Sequence, residues 1–282
     1  MNNSMNAVSK ALQTIADEVP KPRNGSYIGD DGLAYCSVCC QPKQCRITLF
    51  GEERILPVVC KCDTERFENE KKLKESNDFR YRVNALRQEA FPNSNMHNWT
   101  FGNDDGKDRS LSKIARNFAE NFSEFKEDGK GLLLYGGVGT GKTYAAACIA
   151  NYLIDKGIPV LMTSFPRIAN IVQGMSAGRQ EYYDRFNDYP LLILDDLAAE
   201  RKTEYMQEIV YNVIDTRCSS GLPMIVTSNL TAQEFKNPAD KTNERIFSRL
   251  FKCCHPIEVK GADRRKQTLK DEFEKTQKLL GI

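Results

Sequence analysis

Four short, mainly aliphatic runs punctuate the chain: Leu132 to Tyr135, Pro159 to Thr163, Leu191 to Asp196 and Pro223 to Asn229. Each has the length of a strand, and three of them run directly into glycine or polar residues. Runs without polar alternation belong to strands covered on both faces, as in a parallel sheet. Tyr144 to Leu153 and Ile168 to Met175 read as helices. Strand and helix therefore alternate, and the expected class is α/β.

Ahead of the first run the pattern changes. Ser4 to Val19 places Met5, Val8, Leu12, Ile15 and Val19 at helical spacing and ends at Pro20 and Pro22, which predicts a short amphipathic helix. Residues 46–56 read as two strands about a glycine-containing turn. From Asp63 to Arg87 basic and acidic residues alternate, with Phe67, Leu73 and Phe79 as thin apolar contacts, the pattern of a solvated helix. Pro92 and Asn93-Ser94-Asn95 interrupt it. After a turn at Asn103 to Gly106, helical spacing resumes from Leu111 to Phe125 through Ile114, Phe118 and Phe122. Two domains are expected: 1–90, holding the first helix, a cysteine-rich segment and the charged linker helix, and 91–282, the α/β domain.

Composition adds two constraints. With 282 residues, 40% of them hydrophobic, the chain can bury a substantial core, and a formal charge of +2 demands no polyanionic partner at whole-chain level. No apolar run reaches bilayer length and the N-terminus lacks a signal-peptide pattern, so a cytoplasmic location and no membrane partner are expected. Of the ten cysteines, Cys36, Cys39, Cys40, Cys45, Cys60 and Cys62 crowd into one segment. Cys36-x-x-Cys39 and Cys60-x-Cys62, on either side of the hairpin, form the pattern by which a small segment folds around tetrahedral Zn²⁺. Those four are the expected ligands, Cys40 and Cys45 the alternates, and reduced free thiols the competing reading. A redox role is disfavoured because no strand–helix unit surrounds Cys36-x-x-Cys39.

The first aliphatic run leads into Gly136-Gly137-Val138-Gly139-Thr140-Gly141-Lys142-Thr143 and then into a helix. This is the phosphate-binding loop. Glycines let backbone N–H groups curl around phosphate oxygens, Lys142 reaches the β and γ phosphates, and the Thr143 hydroxyl sits on Mg²⁺. The helix turns its positive N-terminal end toward the same anion. Asp195, at the carboxyl end of the third run, falls where Mg²⁺ should be held, and Asp196 where a carboxylate would orient the attacking water. Asn229 ends the fourth run, placed for the γ-phosphate or that water, or as a simple strand-end cap. Arg245 and Arg249 lie four apart, on one face of a helix.

Gly136 to Thr143, Leu191 to Asp196, Thr227-Ser228-Asn229 and Arg245-x-x-Ser248-Arg249, in that order, resemble the AAA+ ATPases, and more narrowly the DnaC/IstB group of helicase-loader and transposition ATPases. The cysteine module resembles the zinc-bearing arm of Gram-positive and phage loaders. The resemblance implies a P-loop AAA+ core with a parallel sheet flanked by helices, a small N-terminal zinc-binding α+β domain, and no full C-terminal lid, since too few residues follow Arg249. It also implies ATP hydrolysis with Mg²⁺, with Asn229 as sensor 1 and Arg249 as an arginine finger given to a neighbouring subunit. The partners implied are a replicative helicase, single-stranded DNA and further copies of the chain. Asp196 departs from the usual catalytic Glu by one methylene, and a sensor-2 role for Arg264 or Arg265 is left open. A transposition ATPase, a nucleotide kinase and a non-hydrolysing zinc adaptor are the alternatives.

Overall fold

The computed structural model describes residues 25–91, 93–106, 108–197 and 203–281, with the backbone alone for 265–272. The helix expected over Ser4 to Val19 lies outside the described residues. By its contacts the chain divides into two units, Met1–Arg80 and Tyr81–Ile282.

The first unit is two small hairpins and the start of a long helix. Strands β1 (Ser26–Ile28) and β2 (Ala34–Cys36) pair antiparallel, as do β3 (Gln44–Leu49) and β4 (Glu52–Pro57), which meet at Phe50-Gly51. The expected glycine turn is there. Helix α1 (Lys61–Ala90) follows, and nearly all its residues before Val83 are solvated, as the alternating charges require. Apolar side chains do little to hold this unit: Ile28, Val38, Phe50 and Ile55 are all exposed. Among the described residues of this unit, those buried are Cys36, Cys60 and the partners of an ion pair, Lys43 Nζ to Asp63 at 3.3 Å.

The second unit is a three-layer sandwich. Consecutive residues of a strand point to opposite faces, so Leu132, Leu133 and Leu134 can all be buried only if both faces are covered. They are. After α2 (Arg109–Glu120) and α3 (Phe122–Glu127), strand β5 (Gly131–Tyr135) takes an interior place in a five-stranded sheet. The other strands are β6 (Val160–Ser164), β7 (Leu191–Leu197), β8 (Met224–Ser228) and β9 (Cys254–Glu258), all parallel, in the order β6-β7-β8-β5-β9. Leu132, Leu134, Leu191, Ile193 and Ile225 pack on one face with α4 (Lys142–Asp155), α2 and the end of α1. Leu133, Leu192, Leu194, Met224 and Val226 pack on the other with α5 (Phe165–Gln173), α7 (Glu204–Ser219) and α9 (Lys241–Cys253). Short helices α6 (Arg179–Asp184) and α8 (Ala232–Lys236) complete that face, and α10 (Arg264–Leu280) closes the chain.

Two features differ from the sequence reading. The run from Leu111 to Phe125 is two helices, because Asn121 ends the first, its N–H returning to Asn117 O, and starts the second. A fifth strand, β9, was not expected from Cys254-His255-Pro256-Ile257-Glu258. It lies at the sheet edge, where Pro256 can go without a ladder donor. Among the described residues no helix is long and apolar enough to cross a membrane.

Arg217 has no solvent exposure, and burial brings its pKa down to about 10, which still leaves it charged at neutral pH. Its guanidinium donates to the carbonyls of Phe186 (2.9 Å), Tyr189 (2.9 Å), Pro190 (3.1 Å) and Pro223 (2.8 Å), all near the amino ends of β7 and β8. Only a planar fork serves so many acceptors at once. Each carbonyl left without a donor costs about 1–3 kcal/mol. Arg217→Leu is therefore expected to cost about 3 kcal/mol or more, lowering the melting temperature by roughly 10 °C. A shift under roughly 2 °C in thermal unfolding would refute the role given to Arg217.

Candidate functional site

A parallel sheet gathers its loops at the carboxyl ends of the strands. There β5 ends at Tyr135 and the chain turns through Gly136 to Gly141 into α4. Gly136 has φ 131°, and a Cβ on it would stand 2.4 Å from Val259 O; Gly141, which caps α4, has φ 101°. Side chains resist both conformations. Lys142, 5% exposed, places Nζ 2.9 Å from Gly136 O, 2.7 Å from Gly137 O and 2.9 Å from Asn229 Oδ1. The end of β8 is thus tied to the loop.

Thr143 donates its hydroxyl to Asp195 Oδ1 at 2.9 Å. Burial pushes the Asp195 carboxyl above the usual range, with Asp196 adding to the rise, while hydrogen bonds from Thr227 and Thr143 oppose it. Lys142, Thr143, Asp195, Asp196 and Asn229 line one end of a cavity of about 550 Å³, with Val138, Gly139, Thr140 and Gly141 beside them. Met96, Trp99 and Asn103 line it as well. The size suits a nucleotide.

Several residues that build this cavity carry no motif. Asn151, fully buried on α4, donates to Met96 O (2.8 Å) and Trp99 O (2.9 Å) and accepts from Arg87 Nε on α1 (3.1 Å). It pins the wall that Met96 and Trp99 form. The only sequence signal is a lone amide inside an apolar helical run. Arg264 lines the cavity, donates its N–H to Gly139 O (3.0 Å) and pairs with Asp105 (3.1 Å). The side chain of Arg265 lies outside the described residues.

Arg249 is not part of this cavity. On α9 its Nε is 2.9 Å from Asp215 Oδ1 on α7. One helical turn further along both helices, Cys218 and Cys253 are joined as a disulfide, with Cα atoms 5.9 Å apart. Arg245, on the exposed face of α9, makes no ion pair among the described residues.

In the first unit the Sγ atoms of Cys36, Cys39, Cys60 and Cys62 all lie within 4.8 Å of one another. Tetrahedral Zn–S bonds of about 2.3 Å place sulfurs about 3.8 Å apart, so the donor set fits that ion. Cys40 and Cys45 are outside the cluster. Backbone N–H groups of Cys39 and Val38 bring the Cys36 thiol down to about 6, and that of Gln41 lowers Cys39, whereas burial pushes Cys60 up to about 12. N–H groups aimed at sulfur favour thiolate, the form that binds metal. Purified protein is expected to carry about one Zn²⁺ per chain, and Cys36→Ser or Cys60→Ser to release it while the second unit keeps its melting transition. Metal analysis finding no zinc in the wild type would reject the assignment.

Comparison with known proteins agrees with this geometry. The family model described as IstB-like ATP binding protein matches residues 67–272. The replicative helicase loader DnaI of Bacillus subtilis is 26% identical, the match taking in 94% of this chain and 90% of that protein. A putative ATP-binding protein in an insertion sequence of Mycobacterium tuberculosis is 31% identical over 140 residues, 47% of this chain and 55% of that protein. Among solved structures, a crystal structure of DnaI superposes with a TM-score of 0.52 at 28% identity, covering 64% of this chain and 98% of that one. Because the family match takes in more than half of the sequence, the chain belongs to the IstB-like ATP-binding proteins, with their AAA+ P-loop fold.

Proposed function

We propose that this protein hydrolyses ATP to deliver a replicative helicase onto single-stranded DNA, the cysteine-rich arm engaging the helicase. One observation carries the reading. The likeness to the Bacillus subtilis helicase loader extends over nearly the whole chain, whereas the likeness to the insertion-sequence protein covers under half of it. A transposition ATPase is the second reading, supported by the family's description.

The chemistry follows from the residues at the carboxyl ends of β5, β7 and β8. The Lys142 ammonium neutralises charge on the β and γ phosphates, and the loop N–H groups hold the same oxygens. Thr143 and Asp195 are the residues that would hold Mg²⁺, which when bound neutralises charge on the phosphate oxygens. Asp196 orients the attacking water, and Asn229, which accepts from Lys142, contacts the γ-phosphate or that water. Arg249, standing away from its own chain's cavity, serves a neighbouring subunit's ATP, so hydrolysis requires assembly. An arginine finger is worth about 10³ to 10⁵ in rate.

Lys142→Ala is expected to lose turnover by about a hundredfold or more, and Arg249→Ala to bind ATP nearly normally but hydrolyse it about a thousandfold more slowly. Mixing the two inactive proteins should rebuild active interfaces, one supplying the pocket and the other the finger. No recovery in mixtures that demonstrably co-assemble would eliminate the shared site. The whole chain is also expected to retain a replicative helicase on an affinity matrix, and the Cys36→Ser variant to lose it. Equal retention by both would remove the arm from the interaction, and capture of a transposase in place of the helicase would favour the second reading.

A further inference from the structure

The ladder between β7 and β8 breaks once. Leu194 pairs with Val226 and Leu197 with Ser228, so Asp195 and Asp196 face the single residue Thr227. Such a bulge leaves one residue without its ladder partner and bends the strand there. Asp196 absorbs the bend with φ 58°, in the left-handed region that non-glycine residues avoid. Something must hold it. Its N–H donates to Thr227 Oγ1 at 3.0 Å, and the hydrogen of that same hydroxyl goes to Asp195 Oδ1 at 2.6 Å. Thr227 is 1% exposed, so no bulk water can substitute for it. One hydroxyl, accepting from one acid's backbone and donating to the other's side chain, replaces the missing rung.

We propose that Thr227 is the positioning residue of the ATPase centre, its hydroxyl fixing Asp195 as the cation-holding carboxylate and aiming Asp196 at the space of the attacking water. Both hydroxyl donors to Asp195, Thr143 and Thr227, meet Oδ1. Neither donates to Oδ2, the oxygen assigned to the cation. A Thr143 hydroxyl that gives its hydrogen to Asp195 likewise keeps its lone pairs for the cation. Ser228, the next residue, ties the far side of the bulge by donating to Leu197 O at 3.0 Å. The two acids are thereby held between consecutive hydroxyl residues of β8. This inference rests on the reading of the cavity as a Mg²⁺–ATP site.

The test uses the full chain with Thr227→Val, which keeps the shape and removes the hydroxyl, and Thr227→Ser, which keeps the hydroxyl. ATP binding is titrated with and without Mg²⁺, and steady-state hydrolysis is followed where it occurs. For Thr227→Val the affinity in EDTA is expected to match wild type, the Mg²⁺ midpoint to rise about tenfold or more, and kcat to fall about a hundredfold with KM for ATP little changed. Thr227→Ser is expected to restore the midpoint and most of kcat. A Thr227→Val protein with wild-type Mg²⁺ midpoint and kcat overturns the proposal. So does loss of the fold in both Thr227→Val and Thr227→Ala, which would make the hydroxyl a requirement of the core. A wild-type chain that binds ATP with Mg²⁺ but never hydrolyses it removes the ATPase reading, and the Mg²⁺ midpoints still decide the role of Thr227.

Discussion

Lys142 carries a positive charge in a place almost closed to water, and it does so because three oxygens surround its ammonium group. A buried cation without such partners would give up its proton or expel its side chain. The arrangement therefore fixes more than one lysine. Two of the oxygens are carbonyls of the loop and the third belongs to Asn229 beyond β8, so the ammonium sets the curl of the loop and the distance between two strand ends. Phosphate oxygens brought to the site meet a cation already desolvated and already aimed, with the N-terminal end of α4 behind it.

The same constraint explains why so much of the site was legible in the sequence. Glycines at 136 and 141 are needed where side chains resist the backbone, and an aliphatic strand ending in two acids, a weak signal alone, takes its meaning from the phosphate-loop pattern upstream of it. What the sequence concealed is the support around these groups. Asn151 is one amide among alanines and Arg217 one arginine on a half-buried helix, and neither its type nor its spacing reveals that it satisfies carbonyls from distant segments. Thr227 was visible only as a neighbour of Asn229. Its use depends on a one-residue slip between strands, and periodicity cannot register that. β9 was missed because an edge strand covered on one side needs neither a long aliphatic run nor every ladder donor, and the Cys218–Cys253 bond because pairing between helices is a matter of tertiary packing.

The first unit obeys a different logic. Its strands are short and its larger apolar side chains face outward, so burial of hydrocarbon contributes little there. The cysteine cluster and the enclosed Lys43–Asp63 pair occupy the place of a core. Asp63 also accepts from Arg66 and from the Cys60 thiol, which puts two cations and one acid beside the sulfurs. Four thiolates around a bound zinc ion would be strongly anionic, and nearby cations would moderate that charge. The exposed apolar side chains left over are those a small module cannot cover by itself.

Trp99 is the chain's one tryptophan, and it lies in the cavity wall with its ring 5.6 Å from that of Tyr144 and its carbonyl held by Asn151. Indole emission responds to the polarity and contacts of its surroundings, and here the whole signal comes from one ring beside the nucleotide space. The molecule thus has a built-in optical probe in the wall of this cavity, free of background from any second indole. Its spectrum can follow filling and emptying of that chamber in the unmodified protein, in real time and without a label.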